Sequence, residues 1–403
     1  MKRNRMKKVI SFLLSCLLLF ACACSNGETS NSSSGDNSST TSEQQEPSIS
    51  IKNAYAGKTV DLLNENLRDY LSLTEESKIA TFLRSHMGQD YSISPSMRIE
   101  WEGGNAPYVV TLAKDLACTQ KVQSKTCYGK NYYFNAGIFL PGYTYYYKVT
   151  DADGEETEID SFTVMQAPRV VTVSGVKNVR DIGGWKTENG SSIAYGKLFR
   201  GAHVDDITEG GKETLWSLGI KTDLDFRTPT EANSATKSPV SGLVYERISI
   251  TLFDRIFENG YKDLMRKTMV YFSDESHYPI YYHCRAGADR TGTVTFLLNG
   301  LCGVSFADLT KDFELTSFFG TGSRWRSAIE INAGVAKFTE DGIMNSAQDN
   351  YVAWNKLYME MMSRYGKESG KLSDAIAAYL LDIGVTETQI DNIRRILLDE
   401  PTI

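Results

Sequence analysis

The stretch Tyr281 to Gly292, Tyr-Tyr-His-Cys-Arg-Ala-Gly-Ala-Asp-Arg-Thr-Gly, leaves this 403-residue chain the fewest ways to fold. Ile280, Tyr281 and Tyr282 have the character of a buried strand, and Thr291 to Leu301 carries the apolar residues of a packed helix. The loop from Cys284 to Arg290 must therefore turn strand into helix. There the backbone N–H groups of Arg285, Ala286, Gly287 and Ala288 can face inward and add to the positive end of the helix dipole, making an anion cradle. Gly287 lets the backbone turn inward, and Gly292 lets the helix start pack closely.

A cysteine in such a cradle is expected to be a thiolate. A free thiol titrates near pH 8.5, and a helix N-terminus with a nearby cation lowers that value, so Cys284 is a candidate nucleophile at neutral pH. Arg290, six residues on, can close its forked guanidinium over the loop and take two oxygens of a phosphate. The hydroxyl of Thr291 can donate to the sulfur and help it leave. The bland alternative is a buried cysteine beside a helix, and it leaves His283, Gly287, Arg290, Thr291 and Gly292 unexplained together.

This stretch resembles the signature of the cysteine-dependent phosphatases, His-Cys-five residues-Arg-Ser/Thr-Gly. A rhodanese-like sulfurtransferase also carries a cysteine in an anion loop, but the Arg290-Thr291-Gly292 ending favours phosphate.

The chain before this point divides by composition. Lys2, Arg3, Arg5, Lys7 and Lys8 precede an apolar run from Val9 to Phe20, too short to span a bilayer and laid out like an export signal. Leu19-Phe20-Ala21-Cys22 resembles a bacterial lipobox. That resemblance implies removal of residues 1–21 and a lipid anchor on Cys22, with Cys24 as the alternative anchor and an ordinary secretory signal as the alternative to both. Residues 22–49 are rich in Ser, Asn, Thr, Gly and Glu without an apolar period and read as a disordered tether. The expected location is the outer face of a bacterial cell membrane.

Loss of residues 1–21 would remove five positive charges and no negative ones, taking the formal charge from −7 to −12. So acidic a body is a poor nucleic-acid or anionic-membrane binder, and its phosphate affinity must be local. About 350 residues remain beyond the tether, enough for two domains.

The first, residues 50–167, has short runs rich in Tyr, Val and Thr: Met97 to Glu102, Pro107 to Ala113, Lys130 to Phe139, Tyr143 to Asp151 and Glu156 to Met165. They predict an antiparallel all-β sandwich. Leu140 to Tyr146, followed by the turn Asp153-Gly154, resembles the late strands of fibronectin type III and related sandwich domains. Thr59 to Met87 does not fit that pattern and reads partly as helix, an insertion or a loop over the sandwich. Tyr145, Tyr146 and Tyr147 read as alternating core and surface positions on one strand, with a binding face for a surface ligand as the alternative. Cys118 and Cys127 lie in a polar stretch, and since export permits a disulfide, the bonded pair is the favoured reading.

The second, residues 168–403, alternates strand and helix and predicts an α/β layer fold around a central sheet. Lys221 to Arg227 and Leu243 to Ile250 read as strands, Gly210 to Leu218 and Gly260 to Phe272 as helices. Asn178-Val179-Arg180-Asp181-Ile182-Gly183-Gly184, Leu198 to Gly201, Leu218-Gly219-Ile220, Asp225-Phe226-Arg227 with Glu231, and the cysteine loop resemble in order and spacing the tyrosine-phosphatase family found widely in bacteria. Ser305 to Thr316 and Leu372 to Leu398 resemble its extra C-terminal helices.

The resemblance implies an α/β cysteine-phosphatase fold and hydrolysis of phosphotyrosine, sometimes phosphoserine or phosphothreonine, in a phosphorylated protein or small phosphate ester. Some relatives act on phosphoinositides. Many carry lysine where this chain has Ala288, which weakens that reading, although Arg285 partly restores the charge. The chemistry needs a proton donor. Relatives with aspartate in the loop point to Asp289; Asp225 is the alternative, or with Arg227 and Glu231 a structural ion pair beneath the loop. Arg180, Asp181 and Arg200 read as scaffold, and His283 as a residue that orients the loop. Cys302 reads as core. No His, Cys and Asp grouping has metal spacing, so neither metal nor cofactor is expected. The competing reading is a surface adhesion protein that keeps the phosphatase domain as scaffold.

Overall fold

The structure, a computed structural model, describes residues 49–322 apart from 87 and 94, residue 324, the backbone of two short strands at 330–332 and 335–337, and residues 350–398. The expected leader, both lipobox cysteines and all of the tether but its last residue lie outside the described residues. Residues 46–403 form one compact unit.

The N-terminal part runs β1 (Ser50–Ile51), β2 (Lys58–Val60), α1 (Glu65–Ser72), α2 (Glu76–Ser85), β3 (Met97–Glu102), β4 (Tyr108–Ala113), β5 (Lys121–Cys127), β6 (Asn131–Phe134), β7 (Thr144–Thr150) and β8 (Asp160–Val164). The strands make two sheets, β1-β3-β6 and β2-β8-β7-β4-β5. All their pairings are antiparallel except β2 with β8. Side chains alternate across each strand. In β7, Tyr145, Tyr147 and Val149 are buried while Tyr146 and Lys148 between them are half-buried. Ile99, Trp101 and Phe134 from the smaller sheet share one apolar core with Val110, Leu112 and Phe162 from the larger.

Three expectations for this region are corrected. Residues 65–85 form two helices, in keeping with the partly helical reading of Thr59 to Met87, so the region is not all-β. Nor do these helices lie over the sheets: Leu67, Tyr70, Ile79 and Leu83 pack with Val170, Leu315, Phe318 and Phe319 of the following part. An amphipathic stripe demands an apolar partner without naming it. Finally, Cys118 and Cys127 are both free thiols. Cys118 lies before β5 and Cys127 is its last residue; the sequence did not reveal this polar strand, and its seven residues span roughly 20 Å at the usual rise, far beyond disulfide reach.

The second part runs β9 (Arg180–Asp181), β10 (Leu198–Gly201), α3 (Glu209–Ser217), β11 (Thr222–Asp225), β12 (Val244–Arg247), α4 (Asn259–Phe272), β13 (Ile280–His283), α5 (Asp289–Leu301), α6 (Phe306–Leu315), β14 (Glu330–Asn332), β15 (Val335–Lys337), α7 (Asn350–Tyr365), α8 (Leu372–Asp382) and α9 (Glu387–Leu398). Its main sheet has the order β12-β11-β13-β10-β9, parallel except for β9. It is an α/β layer fold. Ile280 and Tyr282 point into the larger apolar core and Tyr281 into a second core on the other face, as a two-residue period requires. From Thr291 to Leu301 every residue of α5 is buried, so this helix is enclosed all round, with Thr291, Thr293, Thr295 and Asn299 among its buried residues.

Candidate active site

Because β10 and β11 flank β13 in parallel, the loops that follow all three strands leave the sheet at one end. The central loop is Cys284 to Ala288. Its carbonyls are tied outward. The His203 N–H donates to Arg285 O at 3.2 Å, and Asn178 Nδ2 donates to Ala286 O and Gly287 O at 3.0 and 3.1 Å. Arg200 donates to Gly287 O and Ala288 O at 2.9 and 3.2 Å. In a planar trans peptide the N–H points away from the preceding carbonyl. The amides of Ala286, Gly287, Ala288 and Asp289 are thereby turned to the concave side of the loop. Gly287 has φ +66°, and a Cβ there would stand 2.1 Å from the carbonyl carbon and oxygen of Gly201. No other residue fits both constraints.

The groups that hold these carbonyls are themselves held. Asp312, on α6, accepts from Arg180 Nε at 2.8 Å and from an Arg200 terminal nitrogen at 2.6 Å. Arg180 also donates to Asn178 Oδ1 at 2.5 Å, which turns the other end of that amide toward the loop. Arg180, Arg200 and Asp312 are almost wholly buried. Two guanidinium groups surround one carboxylate, and their other donors go to backbone oxygens, to Asn178 Oδ1 and to the Thr295 hydroxyl, with only Arg200 Nε left without a partner among the described residues. Next along α6, Glu314 accepts from the buried Tyr70 hydroxyl at 2.7 Å, so α1 braces the same helix.

Cys284 is 3% exposed. Burial alone would push its thiol up, but the Arg290 guanidinium, then the hydroxyl and backbone N–H of Thr291, bring it below its ordinary value. The Thr291 hydroxyl has no other hydrogen-bond partner among the described residues. Arg290 presents both terminal nitrogens to Glu231, each at 2.7 Å, and one also reaches Phe226 O at 3.3 Å. This corrects the grouping of Glu231 with Asp225 and Arg227, since its partner is Arg290. Held in this way, Glu231 is pulled down to about 2.

His283 lies behind the cysteine, fully buried. Its Nδ1 is 3.1 Å from Cys284 O and its Nε2 is 2.9 Å from Asp223 Oδ1. Burial would lower its pKa, but Asp223 first and Asp225 second raise it to about 9, so the ring is an imidazolium at neutral pH. Asp225 is also buried. It accepts from the Arg227 backbone N–H and guanidinium and from the Tyr245 hydroxyl at 2.8 to 3.1 Å. Burial would raise its carboxyl, yet His283 and Arg227 together keep it below the usual carboxylate range. Arg227 extends the chain to Asp205 at 2.7 and 2.9 Å.

The other sequence candidates fall in three places. Asp289 opens α5 at the rim, where Arg324 meets both its oxygens at 2.6 and 2.9 Å. Arg285 is exposed and Ala288 buried. Asp181 is apart from the loop, accepting from Arg169 and from the N–H groups of Gly183 and Gly196. Sequence reasoning missed the parts played by Asn178, Asp312, Glu231 and Arg324. Only Asn178 carries a local sign of its task, a positive φ of 60° that asparagine tolerates better than most residues. Cys302 is in the core, with its thiol pushed up to about 12 by burial.

A family model described as the Tyrosine phosphatase family matches residues 171–399, more than half of the chain. A tyrosine-protein phosphatase of Nostoc commune is 24% identical over 231 residues, covering 51% of this chain and 75% of that protein. Among solved structures, the core catalytic domain of a PP-IP phosphatase from S. cerevisiae in complex with citrate aligns with a TM-score of 0.24 at 18% identity, over 33% of this chain and 78% of that one. That overlap is too loose to argue from.

Proposed function

The chain belongs to the tyrosine phosphatase family, and we propose that it hydrolyses phosphotyrosine-type monoesters through a phosphocysteine on Cys284. The observation that carries the reading is the loop whose carbonyls are all drawn outward around a buried cysteine that Arg290 and Thr291 favour as thiolate. In the first step the thiolate attacks phosphorus, an S–P bond forms, and the P–O bond to the leaving phenolate breaks. Inward amides and Arg290 hold the equatorial oxygens, where charge is spread in the transition state. In the second step water attacks phosphorus, the S–P bond breaks, and the Thr291 hydroxyl supports the departing sulfur.

We assign the proton to Asp289. It gives a proton to the phenolate in the first step and takes one from water in the second. This requires its pair with Arg324 to open. Asp225 is the weaker candidate, because Arg227 and Tyr245 already surround its buried carboxylate. Ala288 adds no charge to the loop, which favours an aryl monoester over a multiply phosphorylated inositide. Phosphoserine and phosphothreonine are secondary substrates in this reading.

The basic leader and Leu19 to Cys22 support an exported lipoprotein held by Cys22, or by Cys24, at the outer face of a bacterial membrane. The two sheets with one core support a fibronectin type III-like recognition module that brings the enzyme to its substrate. The test is turnover of a panel of phosphotyrosine peptides, phosphoserine peptides and phosphoinositides. Phosphotyrosine peptides are expected to turn over fastest, with chelator present, and Cys284→Ser to remove turnover while leaving the fold. Retained activity in Cys284→Ser, or a chelator-sensitive reaction, overturns the covalent mechanism.

A further inference from the structure

At the opposite end of the main sheet, where β10, β11 and β13 begin, the two parts of the molecule leave a cleft of about 600 Å3 between them. Lys114, Val122 and Tyr145 line it from the N-terminal part, and Lys197, Lys221 and Tyr278 from the other. That volume lies within the range of sites for small organic molecules. Its walls are apolar and aromatic with a few charged groups, the composition such sites have.

Cations outnumber carboxylates here. Arg169 also lines the cleft, and the one carboxylate among its described lining residues, Glu275, pairs with Arg395 at 2.9 Å and is also favoured by the Lys197 charge. Neither the part-buried Lys114 nor the exposed Lys221 has a hydrogen-bonded or ionic partner for its ammonium among the described residues. Burial holds the Lys114 ammonium below its ordinary pKa. Arg169 is 7% exposed. It gives one terminal nitrogen to Asp181 and the other to Gly137 O, and its Nε is left without a partner. A part-buried cation without a counter-ion is unfavourable on its own, and an anion that enters removes that cost. The chain carries a formal charge of −7, so this local excess of cations runs against the sign of the whole molecule.

We propose that this cleft is a second ligand site, separate from the cysteine loop, for a small organic anion: a phosphate or phosphonate head against the lysines and an aromatic body against the apolar wall. The head lies among Lys114, Lys197 and Lys221, and the ring packs against the half-buried Val122, Leu140 and Leu218. No bond is made or broken there. The inference does not depend on the chemistry proposed for Cys284, since the strands put the length of the sheet between the two.

The test is calorimetric titration of the full chain with benzylphosphonate, which is not hydrolysed, and with inorganic phosphate. Arg290→Met weakens the loop as an anion site, and in that variant one benzylphosphonate site is expected to remain. Lys114→Gln/Lys221→Gln is expected to weaken that remaining site at least about tenfold, the effect of losing roughly 1.4 kcal/mol. With Arg290 left in place, the lysine double variant should keep aryl phosphate turnover and unfolding temperature near those of the unaltered chain, which separates loss of the site from loss of the fold. If Arg290→Met binds no benzylphosphonate, or the lysine variant binds it unchanged, there is no second site. If inorganic phosphate binds the remaining site as tightly as benzylphosphonate, the organic part of the proposal is wrong. Loss of turnover in Cys284→Ser would leave all of these results unaffected.

Discussion

Behind the cysteine loop, two guanidinium groups share one carboxylate in a dry interior, whereas at its rim the ion pairs are part-exposed. Arg180 and Arg200 converge on Asp312, with side chains 0%, 0% and 3% exposed. At the rim, Arg290 faces Glu231 with exposures of 14% and 34%, and Arg324 faces Asp289 with 14% and 22%. Removing one member of the inner set strands a charge in a dry interior, whereas an open rim pair is met by water. The inner set therefore fixes the carbonyls of the loop, while the rim pairs can be exchanged for the oxygens of a substrate. One loop is thus rigid on its convex side and exchangeable on its concave side.

The strongest way to break this contrast is Asp312→Ala. It leaves two buried guanidinium groups without their carboxylate and should cost about 3 to 5 kcal/mol of stability. Urea unfolding should show the loss and phosphatase turnover should fall with it. Wild-type stability in this variant would mean that the inner network is not what holds the loop.

Next comes the pair of candidate acids. Asp289→Asn should slow hydrolysis of an unactivated aryl phosphate by about 10² to 10⁴-fold and spare p-nitrophenyl phosphate, whose leaving group departs without a proton. Asp225→Asn should slow both substrates alike and lower the unfolding temperature, because it weakens the buried group that Asp225 forms with Arg227, Tyr245 and His283. A leaving-group dependence that steepens for Asp225→Asn alone would reverse the assignment.

A smaller effect is expected from pH. The pKa of His283 is raised from 6.5 to about 9 in the folded protein. A raised cationic group stabilises the fold fully below its unfolded value and loses that contribution as pH climbs through its folded value. Stability should therefore decline between pH 6.5 and about 9, and His283→Asn should flatten this limb. An unchanged limb in that variant would place its origin elsewhere.

The smallest effect should be that of Glu231→Gln. Its pair with Arg290 is part-exposed, and such pairs contribute about 0 to 1 kcal/mol, less at high salt. The depressed carboxyl stabilises the fold above its unfolded pKa and stops doing so as pH falls toward about 2. Kinetic titration should show a shift in KM below about tenfold. A loss as large as that of Asp289→Asn would move Arg290 and Glu231 from the exchangeable set to the rigid one.

Much of the fold was legible because its signals are local. The run from Met97 to Glu102 is a strand to the residue, and the apolar stretch from Thr291 to Leu301 lies within α5. β5 was missed because Lys121, Gln123, Ser124 and Lys125 give an edge strand no apolar alternation, and an edge needs none. Thr59 to Met87 read partly as helix, but nothing in the stretch pointed to α6 as the surface against which it packs. The same holds for Cys118 and Cys127, whose spacing in sequence says nothing of the extended strand between them.

The sequence by itself determined the cysteine loop, since strand, glycine turn, cysteine, arginine and helix start fall within twelve residues and each limits the next through bonded geometry. Tertiary structure alone decided which charges meet. Asp312 is 132 residues from Arg180, Glu231 is 59 from Arg290, and Arg324 is 35 from Asp289. Any carboxylate can accept from any guanidinium, so residue type leaves the pairing open. It is closed by the parallel order of β10, β13 and β11 and by the packing of α6, which bring some of these groups together in a dry interior and leave others at its edge.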